Sequence, residues 1–344
     1  MRVPVKKVGF GLLKFLIPAL IFAYLLWDLW ANQQETLTLL RDQNKNWLLL
    51  LVAFLFAISA LQLTFVRWYL LVMTIGIPFR LIDAFRLGFL GYLFNFVGPG
   101  GVGGDLFKAI FLAREHPQRK AEAVATVIVD RMIGLYALLI VTSVATLWLD
   151  MSETNATVKT ICYLCYSLTA VGGIGLAVVL LPGFTSGSVS EMLSSLPKVG
   201  HALGRTISAI RLYRRRPGVL VTISVMSLLV HTFFATSLYL ISVALFDSVP
   251  TFAENVVIVP LSMLTAAVPI SPGGLGTLEI AFDQLSIWIP AETPPVGQAK
   301  IIALVFRVMT LMMAGIGVIF YCVNRKEVST VLHDAEVSQE EDED

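Results

Sequence analysis

Six long apolar stretches dominate this sequence and limit the folds that are open to it. They lie at about residues 10–28, 47–70, 122–149, 158–182, 219–246 and 299–322. Each reaches or approaches the roughly 20 apolar residues that a helix needs to cross a bilayer. Because 56% of the residues are hydrophobic and only 14% are charged, a soluble domain, a disordered chain and a nucleic-acid-binding protein are excluded. The sequence therefore predicts an all-α polytopic membrane protein with six full spans.

Two further apolar segments, residues 87–104 and 255–278, are interrupted by proline and glycine. From Leu87 to Gly98 a helix rises only roughly 18 Å, at about 1.5 Å per residue, before Pro99 ends it. That rise is short of the ~30 Å hydrocarbon core. We therefore expect each segment to form a re-entrant hairpin whose tip is buried in protein or lines a water-filled cavity.

The two predicted hairpins share a motif. Residues 99–103 read PGGVG and residues 272–276 read PGGLG. An acidic residue and then a span with a lone arginine follow each copy: Asp105 and Arg131 in the first, Glu279 and Arg307 in the second. The unit of span, broken hairpin and span therefore occurs twice, at about 47–149 and again at about 219–322.

The distribution of lysine and arginine indicates how the chain is oriented, because positively charged loops are retained in the cytoplasm. If both hairpins return to their side of entry, most of the 25 basic residues fall on the side of the N-terminus. We expect a plasma (inner) membrane protein with both termini cytoplasmic. The chain then enters the first unit from outside and the second from inside, so the units form an inverted repeat, an arrangement typical of transporters.

The candidate functional residues are charged groups at membrane depth and the glycines beside them. Such charges cost about 2.5–3.5 kcal/mol each and are rarely retained without a partner or a task. We expect Arg131 and Arg307 to face the interface between the repeats, where a guanidinium binds a lipid phosphate bidentately. Glycine N–H groups before a short helix also favour anions. The candidate substrate-binding residues are Arg131, Arg307, Glu279, Asp105, Asp130, Gly100, Gly101, Gly103, Gly273, Gly274 and Gly276.

A structural interpretation of the same charges stays open. In that interpretation Arg131 pairs with Glu279, and Arg307 pairs with Asp105 or Asp130. The two crossed ion pairs would lock the hairpins without contacting a substrate. The same acids and glycines also suit helix capping and tight turns.

Other polar residues are weaker candidates. Glu279 and Asp283 lie four residues apart, which puts both carboxylates on one helix face. We favour a hydrogen-bonded packing role for His231 over a proton relay, and we expect Asn95 to hold the first hairpin through hydrogen bonds to the backbone. The six tryptophans lie near predicted span ends and are expected to be interfacial anchors: Trp27, Trp30, Trp47, Trp68, Trp148 and Trp288.

Four segments carry a resemblance to a known family: RW at 67–68, NFVGPGGVGGD at 95–105, VIVDR at 127–131 and PISPGGLGTLE at 269–279. The chain resembles, over about residues 10–325, the flippase-like transmembrane domain of lysylphosphatidylglycerol synthases (the multiple peptide resistance factor group), a domain that also occurs alone. The resemblance implies movement of an aminoacylated or otherwise modified phospholipid, or of a polyprenyl-linked substrate, between leaflets. Those synthases carry an aminoacyl transferase domain after the membrane region. Only a short polar stretch follows Cys322 here, so we expect no enzyme activity.

The leading hypothesis is a flippase or scramblase that moves an anionic or modified headgroup. A secondary transporter of a small polar solute stays open, as does a membrane-embedded enzyme that uses Asp105, Glu279 and Asp283. A fourth possibility is a non-transporting partner of a lipid-modifying enzyme, with the acidic tail at 326–344, after a single membrane domain at 1–325, as its docking segment. The sequence contains no G-x-x-x-x-G-K-[ST] and no HExxH, so we expect no cofactor, no metal and no nucleic-acid partner.

Overall fold

The computed structural model describes residues 44–97, 103–151, 156–180, 216–267, 271–290 and 297–324, together with a few isolated positions. Over these residues the chain is all-helical. The helices are α1 (Trp47–Thr74), α2 (Leu81–Val97), α3 (Gly103–Glu115), α4 (Lys120–Trp148), α5 (Ala156–Leu180), α6 (Pro217–Leu245), α7 (Phe252–Ala267), α8 (Thr277–Trp288) and α9 (Gln298–Val323).

Helices α1, α4, α5, α6 and α9 are long and apolar enough to cross a membrane. They coincide with five of the predicted spans and confirm a multi-pass membrane protein. The remaining predicted span, at 10–28, lies outside the described residues except for Trp27, and the acidic tail at 326–344 lies outside them entirely.

Local sequence signals set the start of two spans. The side chain of Asn46 accepts a hydrogen bond from the N–H of Leu49, at 3.1 Å, and so caps α1. Pro217 occupies the first turn of α6, where a missing N–H leaves no hydrogen bond unmade.

Short helices lie in pairs where the two hairpins are predicted. Helix α2 packs against α3, and α7 packs against α8. Residues 98–102, between α2 and α3, lie outside the described residues. In the second connection, residues 268–270 lie outside the described residues, and Pro272–Gly274 form a tight turn in which Gly273 and Gly274 have φ angles of 60° and 65°. Only glycine adopts that left-handed conformation readily, which accounts for the motif.

The two units contact each other through several pairs of helices, with one helix of each pair from each unit. Span α1 of the first unit packs against α6 of the second along much of its length. Helix α2 of the first unit packs against α9 of the second, and α7 of the second unit packs against α4 of the first. Helix α5 packs against α4 and is largely exposed on its other faces. Each predicted hairpin is therefore held by the last span of the opposite unit.

One predicted interfacial anchor is wrong. Trp68 is only 1% exposed, and its Nε1–H donates to the hydroxyl of Thr126 at 3.2 Å. The Phe79 ring packs edge-on against it, with centroids 5.2 Å apart. Helix α1 continues to Thr74, beyond the predicted end at 70, so Trp68 lies within the packed part of the span. The other five tryptophans are exposed.

Candidate functional site

A cavity of about 250 Å³ lies between the two units. Helices α1 to α4 of the first unit line it together with α6 and α7 of the second. Its charged and strongly polar lining residues are Arg67, Asn95, Asp105, Lys108, Asp130, Arg131 and His231. Among the described lining residues, with a neutral histidine, three cations and two carboxylates leave this charged cavity with one excess positive charge.

Asp105 is the centre of the first charged group in the cavity. It lies in the first turn of α3 and is 8% exposed as a side chain. Its carboxylate accepts a hydrogen bond from Nε of Arg131 and lies 3.1 Å from Nζ of Lys108. The Lys108 ammonium also lies over the ring of Trp68, 5.3 Å from its centroid, at cation–π distance. Arg131 is 44% exposed and so brings its guanidinium to the mouth of the cavity.

A second charged group joins three spans. Arg67 on α1 donates from Nε and Nη2 to the two carboxylate oxygens of Asp130 on α4, at 2.7 and 3.0 Å. Its Nη1 donates to the hydroxyl of Ser227 on α6, at 2.9 Å. The side chains of Arg67 and Asp130 are only 6% and 8% exposed. This bidentate pair therefore fixes α4 just before Arg131.

Arg307 has different surroundings from Arg131. Its Nε donates to Glu279 at 2.5 Å, and its other nitrogens donate to the carbonyls of Gly273 and Gly274 at 2.9 and 3.0 Å. The second oxygen of Glu279 accepts the N–H of Gly276 at 2.8 Å. The Arg307 and Glu279 side chains are 4% and 1% exposed, and neither lines the charged cavity. Arg307 thus stabilises the glycine turn through hydrogen bonds to its carbonyl groups.

The predicted crossed ion pairs are wrong. Arg131 pairs with Asp105 and Arg307 pairs with Glu279, so both pairs lie within one unit, and Asp130 pairs with Arg67 instead. The reason is local packing. Each acid lies in the first turn of the helix after a glycine motif, and that helix packs against the next span, which carries the arginine.

Three of the described glycine N–H groups in the two motifs have acceptors within the protein. The N–H of Gly274 donates to the carbonyl of Ser271 at 3.2 Å, and Gly276 donates to Glu279 as above. The N–H of Gly104 donates to Oδ1 of Asn95 at 2.9 Å, which confirms the predicted role of Asn95. Gly103 is buried at the start of α3. Gly100 and Gly101 lie outside the described residues.

His231 and Asp283 have protein partners as well. Nε2 of His231 lies 2.9 Å from the carbonyl oxygen of Gly134, and it is the donor because a carbonyl only accepts. This bond agrees with the favoured packing role. Asp283 lies 3.7 Å from Nζ of Lys300. Glu279 and Asp283 are both buried on α8, and α9 supplies a cation to each.

Sequence reasoning missed two cavity residues, Arg67 and Lys108. Arg67 was noted only as part of the RW motif at the predicted end of a span, and not as a candidate site residue. A usable signal existed, since an arginine within α1 needs an acidic partner at that depth. Lys108 lies three residues after Asp105 on a helix, a spacing that brings opposite charges together.

Comparison with known proteins identifies the family. The curated proteins include no match to this chain. A family model described as lysylphosphatidylglycerol synthase TM region matches residues 11–317, which include the first unit, all but the last few residues of the second and every described lining residue of the charged cavity. The chain therefore belongs to the family of lysylphosphatidylglycerol synthase transmembrane regions.

Proposed function

We propose that this protein is a lipid translocator, a flippase or scramblase, that moves an anionic or modified lipid headgroup between leaflets through the charged cavity. Membership of the family supports a lipid-related function in the membrane. The observation that carries the proposal is the excess positive charge of a cavity between two units of a membrane protein. An excess cation at membrane depth favours an anionic ligand such as a phosphate.

Arg131 is the residue best positioned to meet that phosphate. Its side chain is 44% exposed, against 6% for Arg67 and 13% for Lys108. A guanidinium presents five donors in a fixed fork that matches phosphate geometry. Arg67 and Lys108, held by Asp130 and Asp105, would supply positive potential behind it.

The mouth of the cavity suits a lipid headgroup. Ile128, Met132 and Leu135 flank Arg131 on α4 and are 37%, 51% and 39% exposed, as expected of residues that face acyl chains. The cavity itself, about 250 Å³, is smaller than the roughly 300–1,000 Å³ of sites for drug-sized ligands. A headgroup could enter it while the acyl chains stay outside.

We further propose that the short-helix pairs are re-entrant hairpins and that the two units form an inverted repeat. The packing supports this proposal, because exchanging the units leaves the pattern of helix contacts unchanged. The contact of α2 with α9 corresponds to that of α7 with α4, and α3 with α4 corresponds to α8 with α9. Inverted repeats can alternate between inward- and outward-open states around one site. On this proposal the protein is a transporter and not an enzyme.

Leaflet exchange in proteoliposomes tests the proposed function. Acyl-labelled phosphatidylglycerol, lysylphosphatidylglycerol and phosphatidylcholine would be reconstituted with the purified protein, and a membrane-impermeant quencher would report access. We expect the protein to accelerate exchange of at least one of these lipids over protein-free vesicles. Exchange at the protein-free rate for every lipid would contradict the proposal. Uptake of radiolabelled glycerol 3-phosphate by the same vesicles would then favour the small-solute transporter, and no uptake would favour a non-transporting partner subunit.

A further inference from the structure

An apolar groove lies beside the charged cavity and is formed by three of the six helices that line the cavity. It has a volume of about 430 Å³ and lies between α4, α6 and α7. On α4, Leu138 of the charged cavity lies three residues before Val141 of the groove, a spacing that places the two side chains next to each other on the helix surface. On α7 Met263 lines the cavity, and Val256, about two turns away, lines the groove.

The chemistry of the groove differs sharply from that of the cavity. No charged side chain is among its described lining residues. Among those described residues only Thr232 has a hydroxyl, and that hydroxyl donates to the carbonyl of Leu228 at 3.0 Å. Nothing in this lining calls for water or for a polar ligand, so the groove suits a hydrocarbon.

The groove also opens outward. Val144, Trp148 and Phe252 line it and are 57%, 85% and 41% exposed. From Ile140 to Leu149 it follows α4 for about 13 Å. The end at Ile140 and Val141 is the one nearer the charged cavity. A ligand that occupied both sites would therefore have a polar end near Arg131 and an apolar end directed toward Trp148.

We propose that the apolar groove binds an acyl chain of the lipid whose headgroup occupies the charged cavity. The inference rests on the proposed function and deepens it, because it assigns the substrate to long-chain anionic amphiphiles. A small solute would need the cavity alone. Occupancy of the groove should depend on Arg131, whereas ordinary bilayer contact, as on the exposed face of α5, should not.

Photocrosslinking tests this dependence. A trace of phosphatidylglycerol with a diazirine near the end of one acyl chain would be added to phosphatidylcholine proteoliposomes, and labelled peptides would be mapped by mass spectrometry. The reference surface is Val171 and Ile174 on α5, which are 67% and 65% exposed. We expect residues 140–149 to be labelled well above this reference in the wild type. In Arg131→Gln the excess should fall about tenfold or more, the effect of losing a hydrogen bond to a charged group.

A matched variant separates the loss of a site residue from the loss of a charge. Arg80 is 78% exposed, pairs with Asp83 and does not line the cavity. Arg80→Gln should keep the excess labelling of the groove. Labelling of the groove that equals the α5 reference, or that is the same in wild type and Arg131→Gln, would overturn the inference.

A groove-filling variant provides a second test that does not depend on Arg131. Val144 is exposed, so Val144→Trp adds bulk in the groove without a change to the packed interior. We expect it to remove the excess labelling and to slow leaflet exchange, whereas Val171→Trp on α5 should alter neither. Labelling that persists in Val144→Trp would contradict the acyl site. Arg131-dependent labelling without any leaflet exchange would support the acyl site and contradict the translocator. Leaflet exchange with equal labelling of the groove and the α5 reference would support the translocator and contradict the acyl site.

Discussion

At the scale of single residues, exposure separates the arginines of the membrane domain. Arg67 and Arg307 are buried and bonded on several sides, whereas Arg131 is half-exposed at the mouth of the charged cavity. A buried ion pair contributes little net stability, but removing one partner leaves an uncompensated charge and costs about 3–5 kcal/mol. The arginines should therefore respond differently to substitution.

The Arg67–Asp130 pair gives the clearest prediction of this kind. Arg67→Leu should lower the free energy of unfolding by about 3–5 kcal/mol, because Asp130 is then buried without its cation. Asp130→Leu added to Arg67→Leu should recover most of that loss. Denaturant unfolding of the four proteins of this cycle in detergent micelles measures both effects. Equal losses that simply add in the double variant would mean that the pair is not coupled.

Arg307 and Arg131 provide a second contrast. Arg307→Gln should destabilise the protein by about 3–5 kcal/mol, because it leaves Glu279 and two glycine carbonyls without their donor. Arg131→Gln should change the free energy of unfolding by about 1 kcal/mol or less, since Asp105 keeps Lys108 as a cationic partner at 3.1 Å and no buried charge is left unpaired. The unfolding midpoints of both variants, measured under one condition, check the difference. A greater loss in Arg131→Gln would contradict the assignment of roles.

At the scale of helices, two glycines of α9 test the contact between the units. A Cβ atom at Gly317 would meet the backbone carbonyl of Phe89 and lie 2.8 Å from Cβ of Leu93, both on α2. A Cβ atom at Gly315 would meet nothing within 4 Å. Gly317→Ala should therefore destabilise the protein by about 1–3 kcal/mol through overpacking. Gly315→Ala should be neutral or stabilise it by up to about 1 kcal/mol.

Unfolding midpoints of the two alanine variants check this prediction, and leaflet exchange adds a functional readout. If α2 must pack closely on α9 for transport, Gly317→Ala should also slow exchange while Gly315→Ala does not. Equal stability of the two variants would contradict the close contact between α2 and α9.

The helices themselves could largely be predicted from the sequence, because bilayer thickness sets a length that apolar stretches must meet. Spans α1, α4, α5, α6 and α9 begin and end within a few residues of the predicted bounds. The role of Asn95 could be predicted because a backbone N–H next to a broken helix needs an acceptor. The burial of Trp68 could not, since it depends on helix neighbours that no local pattern identifies.

At the scale of the whole molecule, the ion pairs could not be predicted from the sequence, because they also depend on which helices are neighbours. The repeated motif identified Arg131, Arg307, Asp105 and Glu279 as important, but a motif does not say which helices pack together. Crossed pairs would have required each arginine to reach the other unit. The structure instead pairs each acid with the span that follows it. Arg131 therefore lines the charged cavity, whereas Arg307 binds the glycine turn of the second unit.

Leaflet exchange of phosphatidylglycerol in proteoliposomes of the wild type, Arg131→Gln and Arg80→Gln tests the central claim most directly. We predict that the wild type and Arg80→Gln exchange the lipid at similar rates. Arg131→Gln should be slower by about tenfold or more, although it stays folded, because one hydrogen bond to a charged group is lost. Equal exchange in all three proteins would contradict a headgroup site at Arg131, and no exchange in any of them would contradict lipid translocation itself.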